Sequence, residues 1–139
     1  MKQKEIEFLL NVAKLTAQQS TAVRLKVGGV VTDYVGNIIA TGYNGTIRGG
    51  DNVCEYEDEN GILVTKDSVI HAEQNLIAHA ARRGISINKG IVFVTHSPCV
   101  RCTALMIQSG IEKVYFLEKY RSFDETFKEF GHMISMNMV

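Results

Sequence analysis

The sequence predicts an α/β fold with three layers, α-β-α, in which helices cover both faces of a central five-stranded mixed sheet. Two observations support this fold class. Helical and β-rich segments follow one another in the order α-β-β-α-β-α-β-α-β. A short turn joins the first two strands and predicts an antiparallel hairpin, whereas helices separate the later strands and predict parallel pairing. A chain of 139 residues can bury one core, so residues 1–139 are interpreted as a single domain.

The first part of the chain is predicted to contain one helix and one hairpin. Residues 4–19 are predicted to be helical because their apolar side chains fall on one face. Residues 27–32 and 37–42 are rich in β-forming residues and flank a turn, so they are predicted to pair. Gly28 and Gly29 indicate a close backbone approach to the first strand, either by a neighbouring helix or by a ligand.

Two polar stretches after the hairpin are predicted to be loops. Residues 43–50 contain an Asn-Gly pair at a strand end. They either form a simple turn or present amide, hydroxyl and backbone N–H groups to a ligand. Residues 51–67 are acidic and polar, and we interpret them as an irregular loop or lid. Cys54 lacks an adequate set of metal-binding partners and is interpreted as a bystander.

Two helices in the second half of the chain carry candidate catalytic and metal-binding motifs. The first is predicted to have Asp67 or Ser68 as its N-cap and to stop at Gly84, which puts His71 and Glu73 in its first turn.

The second helix is predicted to have Ser97 as its N-cap, Pro98 at its first position and Gly110 as its stop. Cys99 and Cys102 are three residues apart and therefore lie on one face of it. The remaining predicted elements are two buried strands, a short helix and a weak final strand, at residues 91–95, 114–117, 124–130 and 133–136.

His71, Cys99 and Cys102 offer one imidazole and two thiolates, the ligand set of a catalytic zinc ion with one open position. Glu73 is close enough to take a proton from an activated water and pass it to a substrate nitrogen. A lone His-x-Glu occurs by chance, and a lone Cys-x-x-Cys fits a redox pair or half of a structural zinc site. The two motifs together, with Pro98 before the cysteines, favour the catalytic site.

Charge and composition exclude several classes of function. Lys and Arg total 15 and Asp and Glu total 15, so the formal net charge is zero and a general nucleic-acid binder is not expected. No apolar run reaches the length of a membrane span, and the N-terminal residues do not resemble a signal peptide. The 3 cysteines suit a reducing compartment, so a cytoplasmic location without membrane partners is expected. A neutral surface also permits self-association.

These motifs resemble those of the cytidine deaminase superfamily and, within it, the deoxycytidylate (dCMP) deaminases of bacterial or phage type. The His-x-Glu and Pro-Cys-x-x-Cys motifs carry the resemblance to the superfamily. The narrower resemblance extends over about residues 5–121 and depends on the stretches at 26–31, 42–46, 71–75, 95–99, 108–111 and 120–121. Gly29 stands where the family usually has alanine, and Ile47 stands where some members have proline.

The resemblance implies the cytidine deaminase fold and zinc-dependent hydrolytic deamination of dCMP to dUMP and ammonia, which supplies the precursor of dTTP. His71, Cys99 and Cys102 would hold one zinc ion per chain. Glu73 would move the proton while water attacks C4 of the cytosine ring.

The resemblance also implies a set of substrate-binding residues. Asn44 would hydrogen-bond the sugar hydroxyl, and Gly45 would belong to the same nucleotide loop. Backbone groups at Ala72 and near Ser97 would contact the base edge. The positions that best match the phosphate-binding residues of the family are Arg24, Thr46, Arg48 and Tyr120.

Many relatives are homohexamers that dCTP activates and dTTP inhibits, with a magnesium ion (Mg2+) accompanying the nucleotide. The resemblance extends these properties to this chain as expectations, although no residue identifies the effector site. Three other functions are weighed: a tRNA or single-strand nucleic-acid deaminase of the same superfamily, a deaminase of free cytidine nucleosides, and a non-catalytic zinc-stabilised binding module. The balanced charge argues against the first, because a polynucleotide calls for an extended basic groove.

Overall fold

The computed structural model describes all 139 residues and confirms the α/β class with a central five-stranded mixed sheet. Its helices are α1 (Gln3–Ala17), α2 (Ala72–Arg83), α3 (Val100–Gln108) and α4 (Phe123–Phe130). Its strands are β1 (Gly28–Thr32), β2 (Ile38–Tyr43), β3 (Glu55–Glu57), β4 (Leu63–Thr65), β5 (Ile91–His96), β6 (Lys113–Glu118) and β7 (Ser135–Met138). None of the helices combines the length and the apolar composition that a membrane span requires.

The central sheet has the strand order β2-β1-β5-β6-β7, and β3 pairs only with β4. Strand β1 is antiparallel to both β2 and β5, whereas β5, β6 and β7 are parallel. The predicted hairpin and the predicted parallel pairing of the later strands are therefore both confirmed. Each parallel pair is joined by a helical crossover, α3 between β5 and β6 and α4 between β6 and β7, because a tight turn cannot connect parallel strands.

Alternate residues of the central strands pack against helices on opposite faces of the sheet. Val30 and Phe93 belong to a buried cluster with α1. Val31 and Val92 belong to the larger cluster that contains residues of α2 and α3. Both faces of β1 and β5 are thus buried, which explains the continuous apolar run at residues 91–95.

The predicted N-cap of α2 at Asp67 or Ser68 is wrong, because His71 is the N-cap. Ile70 is still extended, and it forms a bridge with Gly45 through two backbone hydrogen bonds of 2.8 and 3.0 Å. The helix cannot begin before this pairing ends. His71 therefore precedes the first turn instead of lying within it.

The predicted start of α3 is wrong for the same reason. The backbone N–H of Ser97 donates to the carbonyl of Glu118 over 2.8 Å, so Ser97 continues the pairing between β5 and β6. Pro98 lies between this pairing and the helix, and Cys99 is the N-cap. Both helices consequently begin immediately after a metal-ligand candidate.

Residues 51–67 were predicted to be irregular, but they contain the β3–β4 hairpin. The Asp58 side chain closes its turn by accepting hydrogen bonds from the N–H groups of Asn60 and Ile62, each 2.9 Å long. Gly61 follows with a positive φ of 74°. The Asn-Gly pair at residues 60–61 was a hairpin signal, but the acidic composition around it masked the short strands.

The final strand begins two residues later than the predicted range of 133–136. The backbone N–H groups of Met133 and Ile134 donate to the carbonyl of Phe130 at 2.8 and 3.2 Å. These bonds keep the two residues in the turn that follows α4, so they cannot join the sheet.

Gly28 lies where α1 crosses β1. The close backbone approach predicted for this glycine is therefore made by a helix and not by a ligand. An added Cβ at Gly28 would overlap the backbone atoms of Ala13 and Ala17, reaching 2.7 Å from the Ala17 Cα. Backbone atoms cannot move aside as the end of a side chain can. The glycine therefore fixes the distance between the first helix and the sheet.

We expect Gly28→Ala to lower the free energy of unfolding by about 1–3 kcal/mol, the usual effect of overpacking a core. Urea unfolding followed by circular dichroism would measure the change. Gly45→Ala is the matched control, because its added Cβ would lie 3.8 Å from the nearest ring atom of Tyr43, at normal contact distance. Equal stability of Gly28→Ala and wild type would contradict the close approach.

Candidate active site

His71, Cys99 and Cys102 meet at the N-termini of α2 and α3. The His71 Nδ1 lies 3.7 Å from the Cys99 Sγ and 3.4 Å from the Cys102 Sγ. One donor atom from each residue lies within 4.8 Å of the other two. The Gln74 side chain accepts a hydrogen bond of 2.8 Å from the His71 N–H, which fixes the backbone of this N-cap. The structure thus brings the three predicted ligands together.

The two sulfurs differ in their affinity for protons. Hydrogen bonds from the Cys102 thiol and from His71 lower the pKa of Cys99 to about 4. The pKa of Cys102 is raised, first because it donates to Cys99 and second because it is buried. The hydrogen bond to Cys99 raises the pKa of His71. One sulfur is therefore already a thiolate, and a bound cation would have to displace the proton of the other.

This donor set fits a zinc ion. One imidazole nitrogen and two sulfurs form a ligand group of the kind found at catalytic zinc sites, where the fourth position remains open. The positive ends of two helix dipoles point toward the sulfurs and favour their ionised form.

Glu73 lies in the first turn of α2, two residues after His71, and is only 5% exposed. Burial raises the pKa of its carboxyl group to about 7. A carboxyl group with a pKa near neutrality can both accept and return a proton at physiological pH. A cation held by the neighbouring ligands would oppose the effect of burial, because it favours the charged carboxylate.

A cavity of about 530 Å³ joins these residues to the predicted substrate-binding groups. His71, Glu73 and Cys99 line one part of it. Five of the predicted substrate-binding residues also line it, namely Arg24, Asn44, Ala72, Ser97 and Tyr120. A volume of this size is typical of a small-molecule site.

The other three predicted substrate-binding residues do not line this cavity. Arg48 lines a second cavity of about 700 Å³ beside β2, together with His79, Arg82 and Arg83 of the α2 region. The backbone of Gly45 is occupied by the bridge to Ile70. The hydroxyl group of Thr46 donates to the carbonyl of Ile47 at 3.5 Å.

The Asn44 side chain holds the chain segment that precedes β1. Its Oδ1 accepts a hydrogen bond of 2.9 Å from the Val27 N–H, and its Nδ2 donates to the Leu25 carbonyl over 2.8 Å. Asn44 lines the cavity, but these two bonds already orient its amide group. Any contact with a sugar hydroxyl would use the remaining amide hydrogen or lone pair.

Ser97 fixes the position of Tyr120 at the cavity. The buried Ser97 Oγ accepts a hydrogen bond of 2.7 Å from the Tyr120 N–H. The Arg121 guanidinium lies 5.4 Å from the centroid of the Tyr120 ring, within the range of a cation–π contact. The end of β6 therefore contributes an aromatic ring and a second cationic group to the site.

The cavity is also lined by polar residues outside the predicted substrate-binding set, namely Glu55, Thr65, His96, Arg121 and Ser122. The His96 ring lies 2.9 Å from the Thr95 Oγ1 and 3.3 Å from a Glu118 carboxylate oxygen. Arg121 follows a parallel strand, a position that indicates a place at the site, since ligands bind at the carboxyl ends of such strands. No sequence pattern indicated Glu55, because its role depends on contacts with a distant segment.

A family model described as the cytidine and deoxycytidylate deaminase zinc-binding region matches residues 3–118. The deoxycytidylate deaminase of Enterobacteria phage T4 is 34% identical over an alignment of 149 residues, which covers 81% of this chain and 77% of the phage protein.

Solved structures also resemble this one. The dCMP deaminase of cyanophage S-TIM5, determined in complex with dCMP and dUMP, has a TM-score of 0.89 and 35% identity, covering 100% of this chain and 99% of that chain. A structure from a study of tRNA:A34 deaminases has a TM-score of 0.65 at 16% identity, covering 97% of this chain and 99% of that chain. The second likeness concerns the fold alone.

We expect Cys99→Ala to lose zinc, because two donors are left where three are needed. Purified wild-type protein should contain close to one zinc ion per chain, by elemental analysis after dialysis. Cys54→Ala is the matched control and should keep its zinc, since Cys54 lines the same cavity outside the donor group. Equal zinc content in Cys99→Ala and wild type would contradict the ligand assignment.

Proposed function

The chain belongs to the cytidine and deoxycytidylate deaminase family, and on this basis we propose that it hydrolyses dCMP to dUMP and ammonia. The observation that carries the proposal is that one cavity is lined by His71 and Cys99 of the ligand group, by the buried Glu73 carboxyl and by the cationic side chains of Arg24 and Arg121. The phage enzymes named for this reaction support the choice of substrate. The product is the precursor of dTTP.

A zinc ion held by His71, Cys99 and Cys102 would lower the pKa of a water molecule to about 7 and so prepare it for attack. Glu73 would take one proton from this water and deliver it to the ring nitrogen N3. It would then carry the second proton, from the new hydroxyl group on C4, to the amino group. Ammonia leaves and C4 keeps the oxygen, so atoms and protons balance. The burial of Glu73 keeps bulk water from competing for the proton.

The remaining cavity residues would hold the nucleotide. Arg24 and Arg121 provide the cationic groups for the 5′-phosphate. The Tyr120 ring is suited to stack on the cytosine, as aromatic side chains do in nucleotide sites. Backbone groups at Ala72 and Ser97 lie beside the predicted ligands and would contact the base edge, with Asn44 near the sugar.

The polynucleotide alternative is less well supported. A single-strand nucleic acid requires a long basic groove with several aromatic platforms. The cavity here is compact, and the chain carries no net charge. A binding module without catalysis would have no use for a buried carboxyl group with a pKa near neutrality beside the ligands.

The proposal extends to regulation, assembly and location. The basic cavity with Arg48, Arg82 and Arg83 would suit the triphosphate of dCTP or dTTP, with Mg2+ accompanying it. Exposed apolar side chains such as Ile38 and Ile47 support a homo-oligomer, with a hexamer as the expected form. Light scattering with and without each triphosphate would measure the molar mass in solution. A monomer under all of these conditions would refute the proposed assembly.

The proposed location is the cytoplasm, because the cysteine ligands are reduced.

Wild-type protein loaded with zinc should deaminate dCMP, while Glu73→Gln should turn over about 10²–10⁴-fold more slowly, the usual effect of losing a general acid–base group. Ultraviolet absorbance would follow the reaction, with and without dCTP or dTTP. Zinc analysis is the control, because Glu73→Gln should keep its zinc. Normal turnover of dCMP by Glu73→Gln would refute the role of Glu73 in proton transfer. No turnover of dCMP by the wild type would refute dCMP as the substrate.

Arg24→Ala should raise the KM for dCMP by about tenfold, because a hydrogen bond between charged groups contributes roughly 1.5–3 kcal/mol. The KM for deoxycytidine should change little, since it lacks the phosphate. Arg48→Ala is the matched control in the absence of effectors, because Arg48 lies outside the cavity. Equal changes for both substrates would exclude a phosphate contact by Arg24.

A further inference from the structure

Residues 20–27 connect α1 to β1 without helix or strand structure, and we refer to them as the Arg24 segment. Its two ends are held by Asn44. The Ser20 hydroxyl donates to the Asn44 carbonyl over 2.7 Å, and the Val27 N–H donates to the Asn44 Oδ1 over 2.9 Å. The middle of the segment, which carries Arg24 to the cavity, depends on other contacts.

Glu55 supplies those contacts from the first position of β3. Its Oε2 accepts hydrogen bonds from two consecutive backbone N–H groups, those of Val23 at 2.8 Å and Arg24 at 3.0 Å. Glu55 is 8% exposed and lines the cavity. It is not a member of either side-chain ion pair of the chain. Its buried charge is therefore compensated by these two N–H groups.

The side chain of Arg24 is held by the neighbouring strand. Its Nη1 donates a hydrogen bond of 3.1 Å to the Thr65 Oγ1 in β4. Glu55 and Thr65 lie directly opposite each other in the β3–β4 pair. One cross-strand pair thus holds both the backbone and the guanidinium of Arg24.

We propose that Glu55 is a positioning residue for recognition of the substrate phosphate, and that it acts through Arg24. This inference rests on the proposed function. A carboxylate would repel a phosphate group, so Glu55 itself is not expected to contact it. With its Oε2 committed to two N–H groups, Glu55 instead fixes the backbone from which the guanidinium extends. The β3–β4 hairpin is then the structural support of the phosphate-binding end of the cavity.

The test compares KM values for dCMP and deoxycytidine in variants that keep their zinc. Glu55→Ala should raise the KM for dCMP by about tenfold, with kcat and the KM for deoxycytidine within about twofold of wild type. Glu55→Gln should restore the KM for dCMP, because the amide oxygen can accept both N–H groups. Glu57→Ala, two residues further along β3 and exposed, is the matched control and should leave both values unchanged.

A double-mutant cycle separates positioning from a general structural effect. In the Arg24→Ala background, Glu55→Ala should not raise the KM for dCMP further, because both changes remove the same contact. Additive effects would overturn the proposal, and so would equal effects on dCMP and deoxycytidine or failure of Glu55→Gln to restore binding. All three outcomes would leave dCMP turnover by the wild type, and hence the proposed function, intact.

Thermal unfolding checks whether Glu55→Ala is folded at the assay temperature. Should it unfold, Thr65→Val provides the second variant, since it removes the hydroxyl that orients the guanidinium and keeps the size of the side chain. Thr65→Val should raise the KM for dCMP about threefold and leave that for deoxycytidine unchanged. An unchanged KM for dCMP in Thr65→Val would overturn the claim that the hairpin supports Arg24.

Discussion

The chemistry of this protein depends on two helices that begin at the same point. His71 is the N-cap of α2 and Cys99 is the N-cap of α3. Each helix begins where an extended segment stops pairing with its neighbour, at Ile70 in one case and at Ser97 in the other. The end of strand-like pairing therefore sets the position of the metal ligands. It also directs two helix dipoles toward the sulfurs and so favours thiolates over thiols.

Burial then gives the site its proton chemistry. Glu73 lies beside the ligand group and is shielded from water, which raises the pKa of its carboxyl toward neutrality. Cys99 carries a lowered pKa while Cys102 retains its proton, so the pair binds one proton between them. Zinc binding must release that proton, and the affinity for zinc consequently falls as pH decreases. Metal binding and proton transfer are thus linked, because Glu73 and the cysteine ligands lie side by side.

In the proposed function, the metal ligands and the phosphate-binding residues belong to different parts of the molecule. Helices anchored on the central sheet hold the ligand group, and proteins of this fold can carry the same chemistry to different substrates. The opposite end of the cavity is built from irregular chain, in which the Arg24 segment is held by Asn44 and by Glu55. These contacts join residues that are far apart in sequence. A small hairpin outside the central sheet thus positions Arg24, the residue to which the proposed function assigns the substrate phosphate.

The sequence by itself determined the fold class, the order of the major elements and the set His71, Glu73, Cys99 and Cys102. Periodicity and residue spacing are local properties, so they can be read without coordinates. Tertiary structure alone decided where the helices begin, because pairing with distant strands delays each start. It also decided that Glu55 belongs to the cavity, since the bonds it accepts come from residues more than thirty positions away. Local patterns contain no information about such contacts.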